Sequence, residues 1–286
     1  MPHWCEGWWR VRMRGVLLWL ALLAQPSFAG DGNLRPLETG VVAGRWAAVG
    51  RIDLGSNGFC SGTLIAPDVV LTAAHCLYDK ATGEPYRPSD LTFLAGWREG
   101  RAEAEREAAM MLPHPDYRPG LEEDNTARLD QIGHDLGLIK LAEPILLPSI
   151  TPAATGSFPR GGDRVEIVSY ARGRSEAASM QDACSVLGIE GRIAVLDCVS
   201  DFGASGAPVF RDTAYGSEVV SVISAGAEMN GKPVALAVPV EGVLAGLMAQ
   251  LDRASRAAAP GARVISGQRD GMGAGGAKFL KVGEAP

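Results

Sequence analysis

Between residues 40 and 240 the apolar residues come in short runs, rich in Val, Ile and Leu and each too brief for a helix. Gly62-Thr63-Leu64-Ile65, Val69-Val70-Leu71-Thr72, Leu136 to Leu141, Val165 to Ser169 and Val219 to Ser224 are examples. Pro67-Asp68, Pro148 and Arg160-Gly161-Gly162-Asp163 punctuate them. Runs of about four to eight such residues bounded by turn formers predict strands, and many in series predict an all-β sandwich or barrel pair. The alternation of strands and long helices that a doubly wound α/β fold needs is missing. One helix is expected late. Pro239 can open it, and Val240, Val243, Leu244, Leu247, Met248 and Leu251 recur on one face before Pro260-Gly261. Arg101 to Met111 is a second helical candidate that reads equally well as an edge strand. The Gly-rich stretch 259–286 has little to bury and reads as a flexible tail.

Residues 1–29 have a different character. Arg10, Arg12 and Arg14 precede the apolar run Val16 to Ala24, followed by Pro26 and Ser27-Phe28-Ala29. This is the layout of a secretory signal peptide, with cleavage expected after Ala29. The run is too short to cross a bilayer, which needs roughly 20 apolar residues. The mature chain is therefore expected to be secreted or periplasmic, with no membrane contact after signal removal. The full 286 residues carry a net charge of −6, and losing residues 1–29, with Glu6 and three Arg, leaves −8. That balance excludes a strongly basic nucleic-acid surface.

Cysteine usage fits export. Cys5 leaves with the signal, and Cys60, Cys76, Cys184 and Cys198 remain, an even number in an oxidising compartment. Four cysteines allow three pairings. The sequence-local choice is Cys60–Cys76 and Cys184–Cys198, each closing a loop of about 15 residues and contributing on the order of 3 kcal/mol. Structural zinc prefers cysteines about two to four residues apart, and none are so spaced.

Three segments carry candidate chemistry: Leu71-Thr72-Ala73-Ala74-His75-Cys76, then His134-Asp135-Leu136-Gly137-Leu138-Ile139-Lys140-Leu141, then Cys198 to Val209 around Ser205. Ser205 stands among Gly203, Ala204, Gly206 and Ala207, where the backbone turns sharply and a substrate carbonyl approaches closely. A serine hydroxyl needs an imidazole to accept its proton. His75, His114 and His134 are the histidines left after signal removal, and His75 sits beside a cysteine at the end of a strand-like run. An imidazolium formed there needs a buried carboxylate, and Asp135 at the mouth of an apolar strand is the candidate.

With those residues quoted, the chain resembles the trypsin-like (chymotrypsin-fold) serine peptidases over about residues 40–250, and more closely their secreted bacterial, V8-like branch. The segment ending at Cys76 matches the family's histidine motif, Asp135 to Leu141 its aspartate strand, and Gly203 to Pro208 its serine motif. His114-Pro115-Asp116-Tyr117 is similar to the segment preceding the aspartate strand, and Trp46 to Ile52 to the first strand of the bacterial branch. The resemblance implies an all-β fold of two antiparallel six-stranded β-barrels with the active site between them, plus a C-terminal helix. The implied layout is a signal peptide 1–29, a candidate pro-segment 30–40, and a peptidase domain 41–258. Barrel one covers about 41–150, barrel two about 151–240 and the helix about 239–258. It further implies Ser205 as nucleophile, His75 as general acid/base, Asp135 as its orienter, and the N–H groups of Gly203 and Ser205 as oxyanion hole. No metal or organic cofactor is implied, and the expected partners are polypeptide substrates of a monomeric enzyme.

The departures from the family pattern bear on activation and specificity. Ala204 stands where vertebrate trypsins have the Asp that receives a new N-terminal ammonium, so no such pair is expected to mature the site. Ala207 replaces the usual Gly or Ser. Val199 occupies the position of the Asp that binds Arg or Lys in trypsin-type enzymes, and valine cannot pair with a guanidinium. Ile223 stands where glutamyl enzymes use a His. With Ser200, Ser224, Gly226 and Ala235, these positions imply a neutral pocket for a small or medium side chain. His114 reads as a loop residue, His134 as a flank to Asp135, Glu122-Glu123-Asp124 as a solvated loop without EF-hand spacing, and Met110-Met111 as packing. A catalytically silent relative serving as an extracytoplasmic binding module is the alternative, yet such proteins normally lose one of the three residues present here. An α/β-hydrolase esterase would need Gly-x-Ser-x-Gly and the order Ser, Asp, His. The lack of a second domain after 260 speaks against a chaperone-protease.

Overall fold

The computed structural model describes residues 34–37, 43–55, 58–120 and 125–258, all within one compact unit. The expected signal peptide 1–29, the segment 30–40 beyond Leu34–Leu37, the acidic run Glu122-Glu123-Asp124 and the tail 259–286 lie outside the described residues. No described helix is long and apolar enough to cross a membrane.

Six antiparallel strands close the first barrel: β2 (Val49–Leu54), β3 (Phe59–Ala66), β4 (Val69–Thr72), β5 (Leu91–Ala95), β6 (Ala104–Pro113) and β7 (Gly137–Leu141). They run around the ring in the order β2-β3-β4-β7-β6-β5. Ile52, Leu64, Val70, Phe93 and Leu138 are all buried to within 1% exposure. Two glycines make room for them. Gly50 and Gly62 face each other in register. A Cβ on Gly62 would lie 2.7 Å from Ile52 Cδ1 and 2.9 Å from Val70 Cγ1, and one on Gly50 would overlap the Phe93 ring. Interiors are packed at crystal density, so only glycine fits at these points.

The second ring contains β9 (Arg164–Ala171), β10 (Arg174–Glu190), β11 (Ile193–Leu196), β12 (Pro208–Thr213), β13 (Gly216–Met229) and β14 (Lys232–Pro239). Pairing of β9 with β10 closes the order β10-β11-β14-β13-β12-β9. Two short strands lie outside it: β1 (Leu34–Pro36) on β10, and β8 (Ala154–Thr155) parallel to β13. Val165, Ile167, Val186, Leu196, Val209, Val220 and Ile223 fill its interior. A larger apolar cluster begins inside barrel one and continues to Tyr170, Phe210, Val219 and Val222 of the second. Trp46 joins it, its ring 4.7 Å from that of Phe210. The two-barrel fold is thus as expected.

Both disulfides take the sequence-local pairing, with Cα–Cα distances of 6.3 Å for Cys60–Cys76 and 5.4 Å for Cys184–Cys198. Three local expectations are corrected. Arg101 to Met111 forms no helix. It contributes to β6, which is paired on both sides by β5 and β7 and is no edge strand; Ala104 and Ala108 point inward while Glu105 and Glu107 are exposed. The late helix, α2 (Leu244–Ala258), begins five residues after Pro239. Pro239 still pairs with Ser221 in the sheet, and Gly242 at φ +79° is incompatible with a helical turn. From Leu244 the expected face holds, and Leu247 and Leu251 are buried in the large cluster. An additional helix, α1 (Asn125–Gly133), precedes Asp135. Its apolar signal is thin: Leu129 is largely exposed, and Ile132 packs against Ile193, Val234 and Leu236.

Candidate active site

His75 lies in a single 3-10 turn, Ala74–Leu77, entered directly from the end of β4. The turn is locked from both sides by the Cys60–Cys76 bridge and the buried Leu77. Asp135 stands just ahead of β7, and its side chain is 4% exposed. A carboxylate so buried needs several donors to remain charged. Asp135 has three: His75 N–H donates to Oδ1 at 2.8 Å, His75 Nδ1 donates to Oδ2 at 2.6 Å, and the Ser224 hydroxyl donates to Oδ2 at 2.5 Å. Because the carboxylate accepts from Nδ1, the ring proton sits there and Nε2 is left with its lone pair.

Ser205 belongs to the loop between Cys198 and β12. Turns Ala204 N–H to Asp201 O (2.9 Å) and Ala207 N–H to Ala204 O (3.0 Å) fold it, and Gly206 N–H ties it to Ile223 O at 2.8 Å. Gly203 and Gly206 have φ of +95° and +80°, conformations that L side chains rarely adopt. A Cβ on Gly206 would also collide with Thr72 Oγ1 and the Ser61 carbonyl. Among the described residues, the N–H groups of Gly203 and Ser205 donate to no backbone or side-chain acceptor. Ala204 is 2% exposed, so its side chain faces the interior with no carboxylate to offer.

Ser61, fully buried on β3, holds this loop from the opposite barrel. Its N–H donates to Ser205 O at 2.8 Å, and its hydroxyl donates to Gly203 O at 2.8 Å while accepting Tyr170 N–H at 2.9 Å. Thr72 Oγ1 in turn donates to Ser61 O at 2.9 Å. Sequence reading gives Ser61 no role, and its place beside Cys60 is the sole hint in the sequence.

His75, Asp135 and Ser205 line one cleft of about 1220 Å³, together with Ser200, Ser224 and Gly226. Two further residues expected to bind substrate, Val199 and Ile223, are not among those lining the cleft. Ile223 is 1% exposed in the second barrel's core. Val199 has both backbone groups taken by the buried Gln181, whose Nε2 donates to Val199 O at 2.8 Å and whose Oε1 accepts Val199 N–H at 3.1 Å. Ser224 has a second task in its bond to Asp135, which sequence reading missed. Opposite walls of the cleft come close: a Cβ on Gly226 would lie 3.0 Å from Ser200 O. The sulfurs beside His75 are bound to each other, so Cys60, His75 and Cys76 make no metal set despite their proximity.

A family model described as Trypsin matches residues 39–245. Among curated relatives, the chain is 28% identical over 120 residues to a Modular serine protease of Drosophila melanogaster, covering 40% of this chain and 18% of that protein. It is 31% identical over 150 residues to Mannan-binding lectin serine protease 1 of Rattus norvegicus, covering 48% and 20%. With human Serine protease 56 it shares 29% over 194 residues, covering 59% and 30%. The chain thus spans less than a third of the length of these relatives. A solved structure of a Glu endopeptidase in complex with MPD superposes with a TM-score of 0.62 at 17% identity, covering 78% of this chain and 98% of that one, which establishes likeness of fold.

Proposed function

Because the chain belongs to the trypsin family, we propose that residues 41–258 form a secreted serine endopeptidase working through an acyl-enzyme on Ser205. The observation that carries this reading is the 2.6 Å contact of His75 Nδ1 with the buried Asp135 carboxylate, in the same cleft as Ser205. As Ser205 Oγ attacks the scissile carbonyl carbon, its proton passes to His75 Nε2. Asp135 holds the ring and stabilises the imidazolium. The carbonyl oxygen, now negative, is received by the N–H groups of Gly203 and Ser205, each donor contributing about 2.7–4 kcal/mol. His75 then returns the proton to the leaving amine, the C–N bond breaks, and the Ser205 ester remains. Water, deprotonated by the same imidazole, hydrolyses the ester and restores the serine.

The side chain accepted next to the scissile bond is small or medium and neutral. What supports this is the close approach of Gly226 to the Ser200 carbonyl, which leaves little width for a large side chain. The protein of the fold neighbour is called a Glu endopeptidase. Here the position expected to bear a glutamate-binding group is Ile223, buried in the core. Export is supported by the Arg-flanked apolar run before Ala29 and by two disulfides. A positional-scanning peptide library tests the reading: cleavage after Gly, Ala, Ser or Val is expected, and cleavage confined to Arg, Lys or Glu sites would overturn the specificity.

A further inference from the structure

Two histidines that the proposed chemistry does not use meet where β6 ends and β7 begins. His114 follows β6 and His134 follows α1, and their ring centres are 4.9 Å apart. Each has a carboxylate at hand. Asp116 Oδ2 lies 3.9 Å from His114 Nδ1, and Asp130 Oδ2, one helical turn before His134, lies 3.7 Å from His134 Nδ1. One donor atom from each of His114, Asp116 and His134 lies within 4.8 Å of the other two. A point equidistant from three such atoms is no more than about 2.8 Å from each, so shifts of under about 1 Å bring all three to the 2.0–2.1 Å of zinc bonds.

One nitrogen is open to a metal: His134 Nδ1 is buried and has no hydrogen-bond partner. His114 Nδ1 accepts the Asp116 N–H at 3.1 Å, so an ion bound through that atom displaces this turn hydrogen bond. Arg192 is the opposing charge; its Nε donates to Gly133 O at 3.3 Å. Two carboxylates outnumber it.

We propose that His114, His134 and Asp116 bind one divalent transition-metal ion of the zinc class, with Asp130 beside His134 adding negative charge. Two imidazoles and a carboxylate suit such an ion better than calcium or magnesium, which take oxygen ligands alone. The ion joins the turn after β6 to the end of α1. Tyr117 and Pro119 of that turn, and Gln131 and Ile132 of α1, line one side of the substrate cleft. The Arg118 N–H bond to Gln131 Oε1 at 2.6 Å already ties them, and the metal fastens that wall further.

The site is independent of the peptidase reading and is tested with zinc sulfate alone, on chelator-treated, disulfide-intact protein. Calorimetric titration is expected to give one saturable site per chain, with a raised melting temperature. Asp116→Asn, an exposed position, is expected to weaken binding at least about tenfold, since even outer-sphere partners of a metal cost that much. His114→Ala is expected to remove binding, while His75→Ala leaves it unchanged. Should His114→Ala fail to fold, Asp116→Asn decides. No saturable binding, binding undiminished in Asp116→Asn, or binding lost in His75→Ala would each overturn the proposal.

Discussion

Barrel one brings the His75 and Asp135 side chains to the cleft, whereas barrel two brings the Ser205 and Ser224 hydroxyls on a frame set by backbone geometry. In barrel one, His75 is fixed by a disulfide neighbour and a tight turn, and Asp135 is fixed by the donors aimed at it. In barrel two, the loop bearing Ser205 owes its shape to two positive-φ glycines and to backbone hydrogen bonds. Neither half is self-sufficient. Ser224 of barrel two supports Asp135 of barrel one, and Ser61 of barrel one supports Gly203 and Ser205 of barrel two. The anchors are crossed, so the relative position of the barrels is read directly by the groups proposed to react. Substitutions should therefore follow different rules in the two halves: side-chain chemistry decides in barrel one, and in barrel two the freedom of the backbone around the Ser205 hydroxyl decides as well.

The largest expected effect tests the rule for barrel one. Asp135→Asn keeps shape but presents an amide to the His75 ring, and kcat on a peptide substrate should fall about 10⁴-fold with the fold retained. A loss of less than tenfold would break the comparison. A smaller effect is expected at the crossed anchor. Ser61→Ala strips the Tyr170 N–H of its acceptor and the Gly203 carbonyl of a donor, costing about 1–3 kcal/mol of stability. Because the displaced peptide adjoins the proposed oxyanion donors, kcat should fall by about tenfold with KM little changed, a split that a purely structural loss would not produce. The smallest effect lies away from the cleft. Glu166 on β9 has a buried, unbonded Oε2, and burial, followed by nearby Asp212, raises its carboxyl above the ordinary range. The fold thus favours its protonated form, so this contribution to stability is full below about pH 4 and is lost as pH rises through the raised value. Glu166→Gln should therefore raise the melting temperature at pH 8 and change it little at pH 4, checked by thermal melts at both.

Sequence reading reached side-chain chemistry better than backbone geometry, for a physical reason. Side-chain chemistry leaves letters in the sequence: His75, Asp135 and the local cysteine pairs are recognisable by type and spacing. Backbone chemistry leaves mainly glycines, and Gly203 and Gly206 reveal their meaning through φ angles and excluded volume. The strand identity of residues 104–113 was obscured because its inward positions are alanines, which give a weak apolar period. The start of α2 was displaced because Pro239 suits both a strand end and a helix start. Ile223 was counted with the cleft, yet lies in the barrel core beside the cleft-lining Ser224. The Ser61 hydroxyl could not be assigned at all, since its partners lie 109 and 142 residues away.

The central claim is that Ser205 and His75 act as one unit. Mass spectrometry of the disulfide-intact protein after treatment with a fluorophosphonate tests it most directly, alongside Ser205→Ala and His75→Ala. A single adduct is expected on the parent protein, located at Ser205 and absent from both variants. No adduct on folded protein, or one that persists in either variant, would contradict it.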